Sequence, residues 1–245
     1  MDFLHFLRKK ITKQWQMSES LILSLLLALS GGFQDAYTFI ERGRVFANAQ
    51  TGNVVLMSAS ILDKDIDEFF RYFLPLLAFI AGIVIADLVE HHMKNAQIVH
   101  WRQMIIMAEI IIMVIVGVLP VEYDKVANCM VSLACAMQVE TFRFFLGNAY
   151  ASTMIIGNVR SGTHAFSRFV LYHKIPELKK AGEYFAVIFV FGLGAGLGAT
   201  LTPMMREMTI WGSAIILLVC YLLMELDKVE LLSNKAENDG QLPTA

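Results

Sequence analysis

Phe46-Ala47-Asn48-Ala49-Gln50-Thr51-Gly52-Asn53 runs directly into Val54-Val55-Leu56-Met57, so an amide-rich entry leads into an apolar stretch that reads as the start of a helix. Thr51 is placed to cap that helix, and Gly52 admits close backbone approach. Gly52-Asn53-Val54 returns as Gly157-Asn158-Val159, 105 positions on (52 to 157). Gln34 returns as Gln138 and Gly43 as Gly147, both 104 positions on (34 to 138, 43 to 147). One single-residue gap reconciles the two offsets. Each half then has the same order: a span, a polar Gly-Asn segment, two more spans. That order argues for an internal duplication, and chance matching in a chain built from few apolar residue types is the competing explanation.

Around these segments the chain of 245 residues is 56% hydrophobic and only 17% charged, with a mean hydropathy of +0.56. Soluble domains carry roughly a quarter charged residues, so a water-facing surface cannot be built from this composition. The expected fold is an all-α integral membrane protein. Apolar windows of spanning length lie near 20–41, 70–90, 103–120, 127–146, 183–203 and 208–225, giving six full spans. The segments 45–62 and 149–172 are apolar only in part and read as re-entrant or broken. Seven or eight crossings is the alternative. Arg160, with His164 and Arg168, weighs against a crossing by 149–172, because an arginine near mid-membrane costs about 2.5–3.5 kcal/mol unless paired.

Lysine and arginine place the two faces. With six spans, Arg8, Lys9, Lys10, Lys13, Lys94, Arg102, the basic residues from Arg143 to Lys180, Lys228 and Lys235 fall on one side, which reads as cytoplasmic. An eight-span count distributes them almost as well. Three crossings per half is an odd number, so the second copy would run upside down relative to the first, an inverted 3+3 repeat. The expected layout is an amphipathic cytoplasmic segment (1–19), a first membrane repeat (20–122), a second (123–227) and a polar cytoplasmic tail (228–245). Phe3, Leu4, Leu7, Ile11 and Trp15 share one helical face of that first segment, suited to lying on a leaflet. Its basic residues followed by an apolar run also resemble a cleaved leader, with Ala28-Leu29-Ser30 as the cut. The apolar pattern continues past Ser30, which favours a retained first span.

Irregular backbone in hydrocarbon survives only where it lines a cavity or is buried by protein. Two helix starts facing each other near the midplane would offer free N–H groups and partial positive charge to an anionic or polar solute. The expected substrate-binding set is Gln34, Asp35, Asn48, Gln50, Thr51, Gly52, Asn53, Gln138, Gly157, Asn158 and Arg160. The alternative is that the Gly-Asn segments only let helices touch, their amides satisfying each other. Intramembrane carboxylates make Asp35, Glu109 and Glu140 candidates for proton coupling. For Glu140 a local ion pair with Arg143 is the better explanation.

Gly192-Leu193-Gly194-Ala195-Gly196-Leu197-Gly198 lies inside an apolar span with no preceding strand, so it reads as helix packing. Gly192 with Gly196 and Gly194 with Gly198 are spaced for close approach, within the bundle or across a homodimer. Cys129, Cys135 and Cys220 have no metal-binding or redox spacing and read as small hydrophobes. No metal, cofactor or enzyme motif is found. A net charge of −2 and a pI near 6.3 exclude nucleic acid as a partner, leaving the bilayer and a small solute.

The first-half motif, Gly32-Phe33-Gln34-Asp35-Ala36-Tyr37 followed by Phe46 to Asn53, resembles the YoaK-like bacterial membrane proteins, a family of unknown function. Met137-Gln138 and Gly157-Asn158 extend the likeness over nearly the whole chain. Where that family often has Thr-Gly-Asn in the second half, this chain has Ile156-Gly157-Asn158, so if a threonine hydroxyl there caps a helix or touches a solute, that contact is absent here. The resemblance implies a multi-span bacterial inner-membrane protein and supplies no substrate, while the lysine and arginine distribution is what places both termini on the cytoplasmic side. The leading expectation is a small-solute transporter or channel. A non-transporting anchor or regulatory membrane protein is the alternative.

Overall fold

The computed structural model describes residues 17–93 and 100–238, the side chains only as far as 227. The segment expected to lie on the leaflet before residue 17 is outside the described residues. The helices are α1 (Leu21–Glu41), α2 (Gln50–Leu62), α3 (Ile66–Met93), α4 (Trp101–Val116), α5 (Asp124–Thr141), α6 (Ile155–Tyr172), α7 (Ile175–Met205) and α8 (Trp211–Asn238). A two-residue antiparallel ladder, β1 (Phe144–Phe145) with β2 (Asn148–Ala149), lies between α5 and α6. The described residues are therefore all-α apart from this hairpin.

Local sequence explains where the helices stop. Ser20 Oγ accepts the Leu23 N–H at 3.2 Å and caps α1. After α1 and after α5 the chain turns through Gly43 (φ 76°) and Gly147 (φ 73°), a backbone region that glycine enters without a Cβ clash. Helix α5 accordingly ends at Thr141, short of the window that reached 146. At the other extreme α8 runs on to Asn238, so much of the expected tail continues the last helix. Lys, Glu, Leu and Ala dominate there, and all are good helix formers.

Among the described residues three stretches are long and apolar enough to cross a membrane: Leu21–Glu41, Ile66–Met93 and Ile175–Asp227. The last comprises α7 and most of α8, parted at Arg206 (φ 50°) by a 3₁₀ turn over Arg206–Ile210. The protein is thus membrane-like in its helices. Helix α4 has only 16 residues, and α5 is apolar only in part because protein encloses it: Ala127, Asn128, Val131, Ser132, Ala134, Cys135 and Gln138 are all buried. A helix wrapped by other helices has no lipid-facing side to betray it by hydropathy.

Packing partners are exchanged between the halves. Helix α1 packs most extensively on α7, and α3 on α5. At the first crossing Gly194 lies against the Leu29 carbonyl, and at the second Gly82 lies against the Leu133 carbonyl. Leu29 and Leu133 are themselves 104 positions apart (29 to 133). A Cβ at either glycine would fall inside the van der Waals shell of that carbonyl, so backbone-to-backbone approach sets both crossings. Gly32 meets the Phe191 carbonyl in the same way. Helices α2 and α6 pack on the helices that follow them, and α4 lies on α8. Leu23, Leu27, Ile106, Met113, Val131 and Leu217 fill the core between α1, α4, α5 and α8.

Polar contacts tie the helix ends into two groups. In one, Arg42 after α1 is fully buried, donating to Tyr37 Oη (2.7 Å), to the Val116 and Leu119 carbonyls (3.0 and 2.8 Å) that end α4, and to Asp124 (3.0 Å) that begins α5. The start of α3 joins through Asp67–Lys125 and the end of α7 through Glu41–Arg206. In the other group, Glu19 and Ser18 before α1 meet Arg102 of α4, Gln103 donates to Glu225 of α8 at 2.7 Å, and Glu90 of α3 meets Arg143 after α5.

Candidate functional site: two loop tips at Gly31

The middle of α1 is bare. Gly31 and Gly32 carry no side chains, and two loops reach that opening. Residues 42–49 arrive from the end where Arg42 is held, and residues 142–154 from the opposite end. Asn48 Nδ2 donates to the Gly31 carbonyl at 3.2 Å. The Thr153 methyl occupies the space a Gly31 Cβ would need. Asn48 and Thr153 are 105 positions apart (48 to 153), the spacing of the two Gly-Asn pairs. Equivalent points of the two loops therefore touch the same residue of α1.

Each loop is braced by the asparagine of its Gly-Asn pair. Asn53 Oδ1 accepts the Phe46 N–H at 3.0 Å and its Nδ2 donates to the Phe46 carbonyl at 2.7 Å. Asn158 does the same to Ala151, at 3.4 and 2.7 Å. Both side chains are buried, and their amides serve loop backbone. Asn53 Nδ2 also reaches Gln50 Oε1 at 3.0 Å, while Gln50 Nε2 returns to the Ala47 carbonyl at 2.9 Å. Gly52 lies beneath the Phe46 ring, where a Cβ would be 3.1 Å from it.

Thr51 does not cap α2. The cap position belongs to Ala49, which makes no side-chain bond, and Thr51 is exposed one residue inside the helix. The group at that helix start is Asp35, whose Oδ1 accepts the Asn48 N–H at 2.8 Å. A carboxylate at a helix N-terminus is favourably placed in the dipole field. The anion position at the first tip is thus filled from within the chain. The equivalent of Asp35 in the second half is Val139, 104 positions on (35 to 139), so the second tip has no such carboxylate.

Two glutamines extend the polar centre. Gln34 Nε2 donates to Ser213 Oγ (2.8 Å) and Ser30 Oγ (3.1 Å), and its Oε1 accepts from Cys135 Sγ at 2.8 Å. Gln138 Nε2 donates to Ser152 Oγ (2.8 Å) and to the Leu27 carbonyl (3.3 Å). Both glutamines are fully buried. Around them Asn48 Oδ1, Gln138 Oε1, Thr153 Oγ1 and Ser132 Oγ are buried with no partner among the described residues. Each such atom costs about 1–3 kcal/mol when left unsatisfied. All four are acceptors, or hydroxyls that can accept.

Arg160 and Gly157 lie elsewhere. Asn158 points inward, and two helical residues turn the direction by about 200°, so Arg160 is exposed on the outer side of α6. Gly157 faces open space, with nothing near its would-be Cβ. Glu140 pairs with Arg143 at 2.6 Å, at the end of α5 and away from Gly31. Glu109 on α4 is fully buried and both its oxygens lack a partner among the described residues. Gly194 and Gly198 are spent on α1, against Leu29 and Phe33, while Gly192 and Gly196 look outward onto open space. Among the described residues no group of His, Cys, Asp and Glu could hold a metal ion.

Sequence reasoning missed Gly31, Ser152, Thr153, Ser213 and Cys135. The repeat offset carries Asn48 onto Thr153, and that signal was available. Ser213 and Cys135 carried none, because each acts as a partner for Gln34 across helices.

A family model described as a protein of unknown function (DUF1275) matches residues 23–223, and the chain belongs to that family. No curated protein and no solved structure matches it.

Proposed function

We propose that this member of the DUF1275 family is a small-solute transporter or channel whose binding site lies between the two loop tips at Gly31. The observation that carries the reading is the convergence of Asn48 and Thr153 on one bare helical residue, where Asn48 Oδ1 and Thr153 Oγ1 are buried without partners among the described residues. A solute or water at that point would relieve costs that the fold otherwise bears unaided. The proposed arrangement is six crossings in an inverted 3+3 repeat, with 42–62 and 142–172 entering and returning from opposite faces. Its support is the two groups of helix ends described above and the exchanged α1–α7 and α3–α5 crossings. The basic residues of the connecting segments favour cytoplasmic termini, and the resemblance to YoaK-like proteins favours a bacterial inner membrane.

The solute is small and polar and offers hydrogen-bond donors to the partnerless amide oxygens; an anion, which only accepts, would be served by the hydroxyls and by a free helix start alone. Because Asp35 already occupies the first helix start, an anion would approach the second tip, near Thr153. Asp35 and Glu109 are the groups proposed to exchange protons with the transport cycle, and no enzymatic step is proposed. The outward Gly192 and Gly196 are the proposed face for a homodimer.

Labelled solutes, anionic and neutral, moved by protein reconstituted in liposomes test the reading. Gln138→Leu and Thr153→Val, with unchanged thermal unfolding, are expected to cut flux by about tenfold or more, the equivalent of ~1.4 kcal/mol. Undiminished flux in both removes the site. One observation favours the second reading, a non-transporting anchor or regulator: Asn53 and Asn158 are fully occupied by their own loops. Absence of flux for every solute would support it.

A further inference from the structure

We propose that the groove where α6 passes into α7 binds the phosphate of an anionic phospholipid. His164, Ser167, Arg168, Leu171, Tyr172 and Lys174 line this open groove of about 450 Å³. Arg160, His164 and Arg168 recur every fourth residue, so they form one basic stripe along the outer side of α6. Exposed Val159, Phe166, Val170 and Leu171 flank it. Arg168 is braced by Glu177 at 3.1 Å, with its side chain still 48% exposed. Lys174 and His164 make no ion pair among the described residues. The groove is cationic and faces outward beside an apolar surface.

Its level along the bundle fits a phosphate. Gly162 packs on Tyr184, where a Cβ would come within 3.0 Å, and Tyr184 begins the uncharged apolar run of α7. At a rise of about 1.5 Å per residue, His164 lies roughly 3 Å beyond that level and Arg168 roughly 9 Å. The headgroup layer occupies about 5–7 Å outside the hydrocarbon on each face. Acyl chains would lie along Val159, while His164 and the long side chain of Arg168 meet the phosphate and Lys174, roughly 15 Å beyond the level of Tyr184 by the same rise, adds its charge from the aqueous side. From deeper in the same stripe, Arg160 would extend outward to the same group.

Native mass spectrometry of the full chain in detergent tests this, with phosphatidylglycerol and phosphatidylcholine offered at equal concentration. Phosphatidylglycerol is expected to be retained several-fold over phosphatidylcholine, and Lys174→Gln to reduce that preference roughly fivefold, as the loss of one cation near a membrane surface implies. Arg168→Gln removes the Glu177 brace as well, so Lys174→Gln, which leaves that pair intact, is the deciding variant. Excess inorganic phosphate is expected to leave lipid retention unchanged. Equal retention of the two lipids, or an unaltered preference in Lys174→Gln, overturns the proposal, and displacement by inorganic phosphate overturns the lipid assignment in favour of the free ion.

Discussion

Asn53 holds the backbone of Phe46 by both ends of its amide, accepting the Phe46 N–H at 3.0 Å and donating to the Phe46 carbonyl at 2.7 Å. A single side chain thus closes the loop onto the helix that follows it, and Asn158 repeats the clamp on Ala151. Replacing either asparagine by alanine strands a partly buried N–H and a partly buried C=O, at up to about 1–3 kcal/mol for each unsatisfied group. Both Asn53→Ala and Asn158→Ala are therefore expected to lower the unfolding temperature in detergent. Asn53→Asp keeps the acceptor and loses the donor, so it should fall between wild type and alanine. Equal stability of all three proteins would show that the clamp bears no load.

Arg42 makes the most heavily bonded buried contact in the fold, joining the end of α1 to the end of α4 and the start of α5. Removing one partner of a buried charge network costs about 3–5 kcal/mol. Arg42→Met is expected to lose that much, and Arg42→Lys to recover only part, since one ammonium cannot serve Tyr37, Asp124 and two carbonyls together. Thermal unfolding of the three proteins measures the difference, and a fully stable Arg42→Lys would contradict the reading.

The glycines separate into those that touch backbone and those that do not. Gly82→Leu and Gly194→Leu should each disrupt a crossing, because the Leu133 and Leu29 carbonyls already fill the space. Gly192→Ala and Gly196→Ala should leave the monomer's stability unchanged, as nothing lies within 4 Å of either. A shift from dimer to monomer in light scattering on Gly192→Leu would place the homodimer on that face. An unchanged mass would remove it.

Much of this was legible in the chain itself. The recurrence of Gly-Asn at a fixed offset marked the two loops, and the apolar windows near 20–41, 70–90, 183–203 and 208–225 fall in stretches long and apolar enough to cross a membrane. The ion pair of Glu140 with Arg143 followed from i, i+3 spacing alone. The role of Asn53 and Asn158 was not legible, because a side chain seven residues from its backbone partner follows neither helical nor strand periodicity. Thr51 looked like a cap because caps are read from residue type, whereas the group that reaches the start of α2 is Asp35 from another helix. Arg160 looked central because sequence distance to Asn158 is short, and helical rotation carries it to the other side.

Glu109 stands in the core with neither oxygen paired among the described residues. Burying a carboxyl without a partner costs several kcal/mol, so one that the fold retains is a candidate for a task. Glu109→Leu is expected to raise the unfolding temperature by relieving that cost, and Glu109→Gln to remove any pH dependence of solute flux while retaining the fold. A destabilised Glu109→Leu protein would mean that the carboxyl has a structural partner, and unaltered pH dependence in Glu109→Gln would exclude it from coupling.

Cysteines placed at Asn48 and Thr153 in an otherwise cysteine-free chain test the meeting of the two loops most directly, using a short bifunctional thiol reagent on intact membranes. Cysteines at Asp67 and Lys125, which already form an ion pair, serve as the positive control. Cross-linking of the Asn48–Thr153 pair as efficiently as the control is the predicted result. Failure of that pair to cross-link while the control succeeds would contradict a shared polar centre at Gly31 and, with it, the proposed solute site.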